Sequence, residues 1–271
     1  MRPRHAISAL LAAGALAAAG CGGGGGSTQS ASPVTATAGS LRPVVDAASK
    51  TAAQGSAQVG VHGFTELAGR RMQIDGAGAF DLRAGKGRFA ATAQIAGRRA
   101  RVDAVADGKA LYLRAGALAG RLPGGKHWLK LDVGKAGLSS LGGVDPGELL
   151  AALRRAADVH EVGHATIDGT PTTHYAGTID LARGGTTAGA RALRALAQRA
   201  GVERVPVEAW VGDDGLVRRA RVAATAAGGA AGSARADLTV DFTNFGRSVD
   251  APAPPADDVL DASRLAGLLG G

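Results

Sequence analysis

Cysteine, aromatic residues and long apolar segments are all scarce in this chain of 271 residues. Cys21 is the only cysteine, which excludes an intramolecular disulfide. Aromatic side chains make up 3% of the residues and there are 43 glycines, so a core must be built mainly from alanine, valine and leucine. The apolar stretch Ala6–Ala19 is too short to cross about 30 Å of hydrocarbon, which takes about 20 helical residues. The composition therefore excludes a disulfide scaffold and favours a cleaved signal over an N-terminal membrane span.

The first residues have the layout of a secretory signal, with a basic start, an apolar stretch and the small residue Gly20 before Cys21. The segment Leu16–Gly20 resembles the lipobox of bacterial lipoproteins, although Ala18 stands where leucine is preferred. We therefore predict a signal peptide over residues 1–20 and lipid attached to Cys21. The alternative is an ordinary secretory signal that happens to precede a cysteine.

Residues 21–40 are rich in glycine and serine, and we expect them to form a flexible tether. Residues 41–271 are expected to form one domain. Loss of Arg2 and Arg4 with the signal would lower the formal net charge from +8 to +6. An exported basic protein, anchored to the outer face of the cell membrane, meets anionic lipid before nucleic acid. We expect membrane lipids as partners, no nucleic acid, and a monomer.

Alternating apolar residues between glycine-containing turns predict an antiparallel sheet of about 11 strands. The predicted strands are Gln58–Thr65, Met72–Leu82, Gly87–Ala96, Ala100–Ala106, Lys109–Arg114, His127–Val133, Val159–Ile167, Thr172–Leu181, Val205–Val211, Leu216–Thr225 and Ala234–Phe245. The predicted helices are Pro43–Gln54, a helix from the N-cap Asp145 to about Ala157, Ala188–Ala200, and a weak terminal helix. The strands and helices do not alternate as they do in βαβ units. We therefore predict the α+β class, with a large curved antiparallel sheet and helices across its concave face.

Many inward positions of the predicted sheet are small. Gly76, Gly78, Ala91 and Ala93 alternate with bulkier apolar residues on the inward side of two neighbouring strands. Two interpretations remain open from the residues alone. Either the helices fill the space over these positions, or the concave face encloses a cavity.

The segment His160-Glu-Val-Gly-His164 matches the zinc-protease motif H-E-x-x-H, which requires a helix to place both histidines on one face. Gly163 and the following hairpin turn at Asp168 predict a strand instead. Four residues of a strand span about 13 Å, too far for two imidazoles to share one zinc. We therefore predict no metal site, and the sequence contains no catalytic constellation, Walker loop or dinucleotide fingerprint, so neither an enzyme nor a cofactor is expected.

Several segments together resemble the LppX/LprG lipoproteins of actinobacteria and, more distantly, the LolA/LolB-like lipoprotein carriers. Besides the lipoprotein start and Val162–Gly169, they are His127-Trp-Leu-Lys-Leu-Asp132, Thr173-His-Tyr-Ala-Gly-Thr-Ile-Asp-Leu181, Val205–Arg219, Asp241-Phe-Thr-Asn-Phe-Gly246, and the prolines of Ala251–Pro255. The resemblance covers about Leu41–Asp261.

This resemblance implies an open β half-barrel whose apolar cavity takes the acyl chains of lipids or glycolipids, in a carrier or chaperone of the cell envelope. The candidate cavity residues are Met72, Ile74, Phe80, Leu82, Phe89, Ile95, Leu111, Leu113, Leu129 and Leu131. The alternative function is an envelope-anchored module that binds protein, with a packed core and no ligand.

Overall fold

A computed structural model of the chain describes residues 42–95, 97–116, 122–132, 145–180, 202–229 and 232–262. The predicted signal peptide, tether, third helix and terminal helix lie outside these residues.

Two α-helices are present in the described part of the chain, α1 (Arg42–Ala53) and α2 (Pro146–Leu153). Proline lies in the first turn of each helix, where its missing N–H costs no helical hydrogen bond. The predicted N-cap of α2 is confirmed, because Asp145 Oδ1 accepts hydrogen bonds from the Gly147 and Glu148 amides at 2.8 and 3.2 Å.

All described strands join one open sheet of 12 strands. They are β1 (Ser56–Leu67), β2 (Arg70–Asp81), β3 (Lys86–Ile95), β4 (Arg98–Asp107), β5 (Ala110–Ala115), β6 (Trp128–Asp132), β7 (Ala156–Ile167), β8 (Thr170–Asp180), β9 (Arg204–Gly212), β10 (Val217–Gly229), β11 (Gly232–Thr243) and β12 (Val259–Asp261). Their order across the sheet is β12-β6-β5-β4-β3-β2-β1-β11-β10-β9-β8-β7. The predicted α+β class with a large antiparallel sheet and helices on one face is thereby confirmed.

Glycine-containing turns connect several of the antiparallel neighbours, as the sequence predicts. Ala68-Gly69 and Asp168-Gly169 each form a two-residue turn in which both residues have positive φ. This is the combination that matches the twist of a hairpin.

Two elements differ from the prediction. Helix α2 ends at Leu153 rather than near Ala157, because Ala156 already pairs with Ile179 at the start of β7. Strand β12 was not predicted, and it pairs in parallel with β6 although the sheet was expected to be antiparallel throughout. Three residues after a proline-rich segment carry too little alternation to indicate a strand.

The main core lies between the two helices and one face of the sheet, which we call the inner face. Val59 on β1 and Phe242 on β11 are 1% and 0% exposed there. Helix α1 contributes Val44, Ala47 and Ala48, and α2 contributes Leu149, Leu150 and Leu153. A smaller cluster of Val105, Ala110, Tyr112 and Trp128 lies apart from this core, with Ala251 and Val259 packed against it. Val105, Tyr112 and Trp128 alternate with inner-face residues and therefore belong to the opposite, outer face.

Thr51 fixes α1 onto the sheet. Its buried hydroxyl donates to the Ala47 carbonyl at 2.7 Å and accepts from the Val217 amide at 2.9 Å. One hydroxyl thus satisfies the backbone donor of Val217, which lies beside the bulge between Val217 and Arg219.

Candidate functional site

The inner face divides into a closed half and a half that retains exposure. Over β1, β11, β10 and β9 its side chains are buried beneath the helices, as at Val61, Val240, Ala220 and Val207. Over β2 to β6 most of the apolar side chains are only half-buried. An apolar surface therefore continues from the core into a region that is not fully covered.

The candidate cavity residues lie in this second half. The register aligns Ala104, Leu113 and Leu129 in one row across β4 to β6, and Leu111 with Leu131 in the next. Half-buried are Met72, Ile74, Phe80, Leu82, Phe89, Leu113, Leu129 and Leu131, whereas Leu111 is buried. Ile95 pairs with Met72 through the backbone, and its side chain lies outside the described part. The sequence alternation thus assigned these residues to a common face.

Four of these residues connect the half-exposed region to the core. Ile74, Phe80, Leu82 and Phe89 pack against the main core cluster. The rings of Phe80 and Phe89 lie 6.2 Å apart between centroids, within the range of favourable aromatic pairs. A ligand on this surface would therefore contact side chains that the core already holds in place.

The structure explains why glycine occupies these inner-face positions, and the explanation differs from both interpretations of the sequence. A Cβ on Gly78 would lie 2.1 Å from the Arg88 carbonyl oxygen, and one on Gly76 would lie 2.6 Å from that of Ala90. A Cβ on Gly87 would meet the Phe80 ring at 2.4 Å. The neighbouring strand approaches too closely for any side chain, so these glycines shape the sheet and do not simply leave space.

The H-E-x-x-H segment lies on strand β7, as predicted. His160 pairs with Ala176 and His164 with Thr173, and no helix brings the two imidazoles to one face. Within the described ranges no group of three or more His, Cys, Asp or Glu side chains could hold a metal ion.

His174 of β8 pairs with Gly163 rather than with a second histidine, because a bulge shifts the register between Glu161 and Gly163. Its ring stacks on Trp210, with centroids 4.1 Å apart and planes 6° from parallel. Nε2 of His174 lies 2.9 Å from Glu208 Oε2. The imidazole is thus held by the neighbouring strand and not by a second histidine.

A network of charges crosses the outer face and was not predicted from the sequence. Arg219 Nε and Nη2 donate to the buried Asp241 at 2.5 and 3.1 Å, and His62 Nε2 lies 2.6 Å from the same carboxylate. Arg221 donates to Asp237 at 2.9 and 2.7 Å. A further hydrogen bond of 3.1 Å joins Arg221 to Glu208 and so to His174. Alternate positions of β10 thereby bind the strands on either side.

The substitution Asp237→Asn is expected to make the free energy of unfolding depend less on pH in the acid range. The Arg221 guanidinium, which donates two hydrogen bonds to this carboxylate, holds the pKa of Asp237 below its usual value. Such a group adds stability above the pKa of the unfolded chain, about 3.9, which is lost as the pH falls through the lower folded value. The half-exposed pair should contribute about 1 kcal/mol or less at neutral pH.

Urea unfolding at several values between about pH 5 and pH 2 would measure this slope. Asp250→Asn is the matched control, since Asp250 is exposed. Equal slopes for Asp237→Asn and the unsubstituted protein would contradict the role given to the pair.

Comparisons with known proteins relate the chain to actinobacterial proteins. No protein-family model matches. An uncharacterised 31.2 kDa protein of Streptomyces griseus is 29% identical over 162 residues, covering 52% of this chain and 50% of the relative. A predicted lipoprotein of Streptomyces coelicolor is 30% identical over 169 residues, covering 58% of this chain and 50% of the relative. The chain thus spans about half the length of the curated relatives it matches.

Among solved structures, LprF of Mycobacterium bovis matches with a TM-score of 0.48 and 18% identity, covering 80% of this chain and 97% of LprF. LppX of Mycobacterium tuberculosis matches with a TM-score of 0.42 and 15% identity, covering 77% and 98%. The chain is similar to these two mycobacterial proteins, of which LppX is named as a lipoprotein. LppX belongs to the group that the sequence motifs resemble.

None of the described helices is both long and apolar enough to cross a membrane.

Proposed function

We propose that this chain is an exported lipoprotein that binds the acyl chains of lipids or glycolipids on the half-buried inner face over β2 to β6. Residues 1–20 would be its signal, 21–40 its tether and 41–271 its lipid-binding domain. Cleavage before Cys21 would place lipid on that cysteine and hold the domain at the outer face of the cell membrane. The role is that of a monomeric carrier or chaperone, without catalysis.

The observation that carries this proposal is the row of half-buried apolar side chains joined to the core. Moving apolar carbon out of water gains about 0.8 kcal/mol per methylene, so a segment of about ten methylenes gains roughly 8 kcal/mol before the cost of association. Phe89, Leu113 and Leu129 offer such a surface without a charged side chain between them on the inner face. Linear acyl chains suit a long apolar strip.

Two further observations support the envelope location. The lipobox-like segment before Cys21 predicts lipidation. The Streptomyces coelicolor relative, 30% identical in its matching part, is named as a predicted lipoprotein.

The substitution Leu113→Asp is expected to abolish lipid binding. A carboxylate in the middle of the apolar strip must either remain hydrated or be buried at high cost, and either outcome excludes an acyl chain. The full chain carrying Cys21→Ser would be produced in Streptomyces coelicolor and analysed by native mass spectrometry for bound lipid. We expect the occupied fraction to fall at least tenfold, about 1.4 kcal/mol.

Thr92→Asp is the matched control, because Thr92 is exposed and its neighbour Ala93 occupies the inner face. A second variant, Ala93→Phe, narrows the strip without adding charge and should also reduce occupancy while unfolding remains cooperative. If the unsubstituted domain carries no lipid, or if all three variants carry equal amounts, the proposal is wrong. The first of these results would favour the packed protein-binding module.

A further inference from the structure

A pocket of about 310 Å³ lies on the outer face over strands β3 to β6. Its lining includes Arg88, Ala90, Arg101, Asp103, Arg114 and Trp128. Ala90 pairs with Asp103, and Arg88 pairs with Val105, so the small Ala90 lies among larger side chains of β3 and β4. The volume is near the lower end of the range typical of small-molecule sites, about 300–1,000 Å³.

Three guanidinium groups from adjacent strands border this pocket, Arg88 from β3, Arg101 from β4 and Arg114 from β5. Asp103 is the one carboxylate in the lining. Arg114 Nη2 donates to it at 2.9 Å and Arg101 Nε at 3.3 Å. Arg88 has no hydrogen-bond acceptor or ion-pair partner within the described ranges. The lining therefore carries more positive charge than Asp103 balances, and one guanidinium is available to a ligand.

The apolar part of the pocket is formed by a buried indole. Trp128 is 8% exposed and packs with Val105 and Tyr112 in the outer-face cluster. Arg114 lies over its ring, with Cζ 4.9 Å from the centroid. An organic group bound here would contact the packed indole of Trp128 while its charged end faces the arginines.

We propose that this pocket binds a phosphate ester of a small polyol or sugar. Guanidinium groups present planar pairs of N–H donors that match the oxygens of phosphate, and several of them around one hollow can share a single tetrahedral anion. The apolar floor and the volume leave room for the alcohol part of the ester. The site lies on the face opposite the apolar strip, so it does not depend on the lipid-binding role.

The experiment uses tryptophan fluorescence, because the chain has two tryptophans. Trp210→Phe leaves Trp128 as the only indole, and this full chain, also carrying Cys21→Ser, would be titrated with inorganic phosphate and with glycerol 3-phosphate. Vesicles of phosphatidylglycerol and of phosphatidylcholine separate a lipid headgroup from a free ester. We expect a saturable change in Trp128 emission, weakened about tenfold by Arg88→Gln, the loss expected for one charge-assisted hydrogen bond.

Arg155→Gln is the matched control, because Arg155 is exposed and lies after α2, away from the pocket. Saturation by glycerol 3-phosphate that depends on Arg88 supports a site for free esters. Saturation only by phosphatidylglycerol vesicles, with the same dependence, supports a headgroup site. No saturation, or equal weakening by Arg88→Gln and Arg155→Gln, overturns the proposal.

Discussion

The substitution Cys21→Ser is expected to move the protein from the membrane fraction to the soluble fraction of the cell envelope. A serine hydroxyl cannot form the thioether that carries diacylglycerol, so the anchor would be lost. One acyl chain gives only marginal membrane binding, whereas two or more hold a protein stably, at about 0.8 kcal/mol per buried methylene. The expected change is therefore close to complete.

Expression in Streptomyces coelicolor followed by membrane washing at alkaline pH would measure the distribution. Intact mass would distinguish lipid on Cys21 from a signal peptide that remains attached. Ser27→Ala, in the predicted tether, is the control and should stay with the membranes. If the Cys21→Ser protein has lost its signal and still sediments with membranes, the cysteine is not the anchor.

The substitution Gly63→Ala is expected to destabilise the sheet more than an alanine at the other glycines compared below. Gly63 lies at the centre of β1 with φ +145°, a conformation that side chains with a Cβ rarely adopt. A Cβ there would also lie 2.0 Å from the Asp237 carbonyl oxygen. Backbone strain and overpacking each cost about 1–3 kcal/mol, so the free energy of unfolding should fall by about 2–6 kcal/mol.

Three other glycines separate these two effects. Gly163→Ala tests strain alone, because φ is +154° and nothing lies within 4 Å of a Cβ. Gly78→Ala tests crowding alone, since its Cβ would meet the β3 backbone and its φ is not positive. Gly116→Ala has neither feature and should change stability by less than about 0.5 kcal/mol.

Denaturant unfolding of the four variants gives the comparison directly. The loss should be greatest for Gly63→Ala, intermediate for Gly163→Ala and Gly78→Ala, and least for Gly116→Ala. A loss for Gly63→Ala no greater than that for Gly116→Ala would show that β1 can shift away from β11 at little cost.

Local features of the fold were predictable from the sequence because they depend on a few neighbouring residues. Asp145 followed by Pro146 indicated the start of α2, and the structure shows that cap. Asp168-Gly169 indicated a hairpin, and its left-handed backbone is present. The end of α2 was not predictable, since Ala156 and Ala157 suit a helix and only their pairing with β8 makes them a strand.

Long-range features were missed for a common reason. The outer-face network requires Arg219 of β10 to oppose Asp241 of β11, and Asp241 to lie beside His62 of β1. Nothing in the local pattern of β1 indicates that β11 is its neighbour. The inner-face residues were easier, because alternation within one strand assigns a side chain to a face without naming the adjacent strand.

The central position of β1 has a consequence for how the chain folds. Strands β1 to β6 are sequential neighbours in the sheet, as are β7 to β11, so each group can form through pairing of consecutive strands. The pairing of Val59 with Phe242, in contrast, joins residues that are far apart in the sequence. Contacts between residues so distant in the sequence slow folding, because the intervening chain must be ordered first. We therefore expect the β11-facing side of β1 to remain unpaired until β11 reaches it, so that the folding chain is most prone to aggregation during that interval.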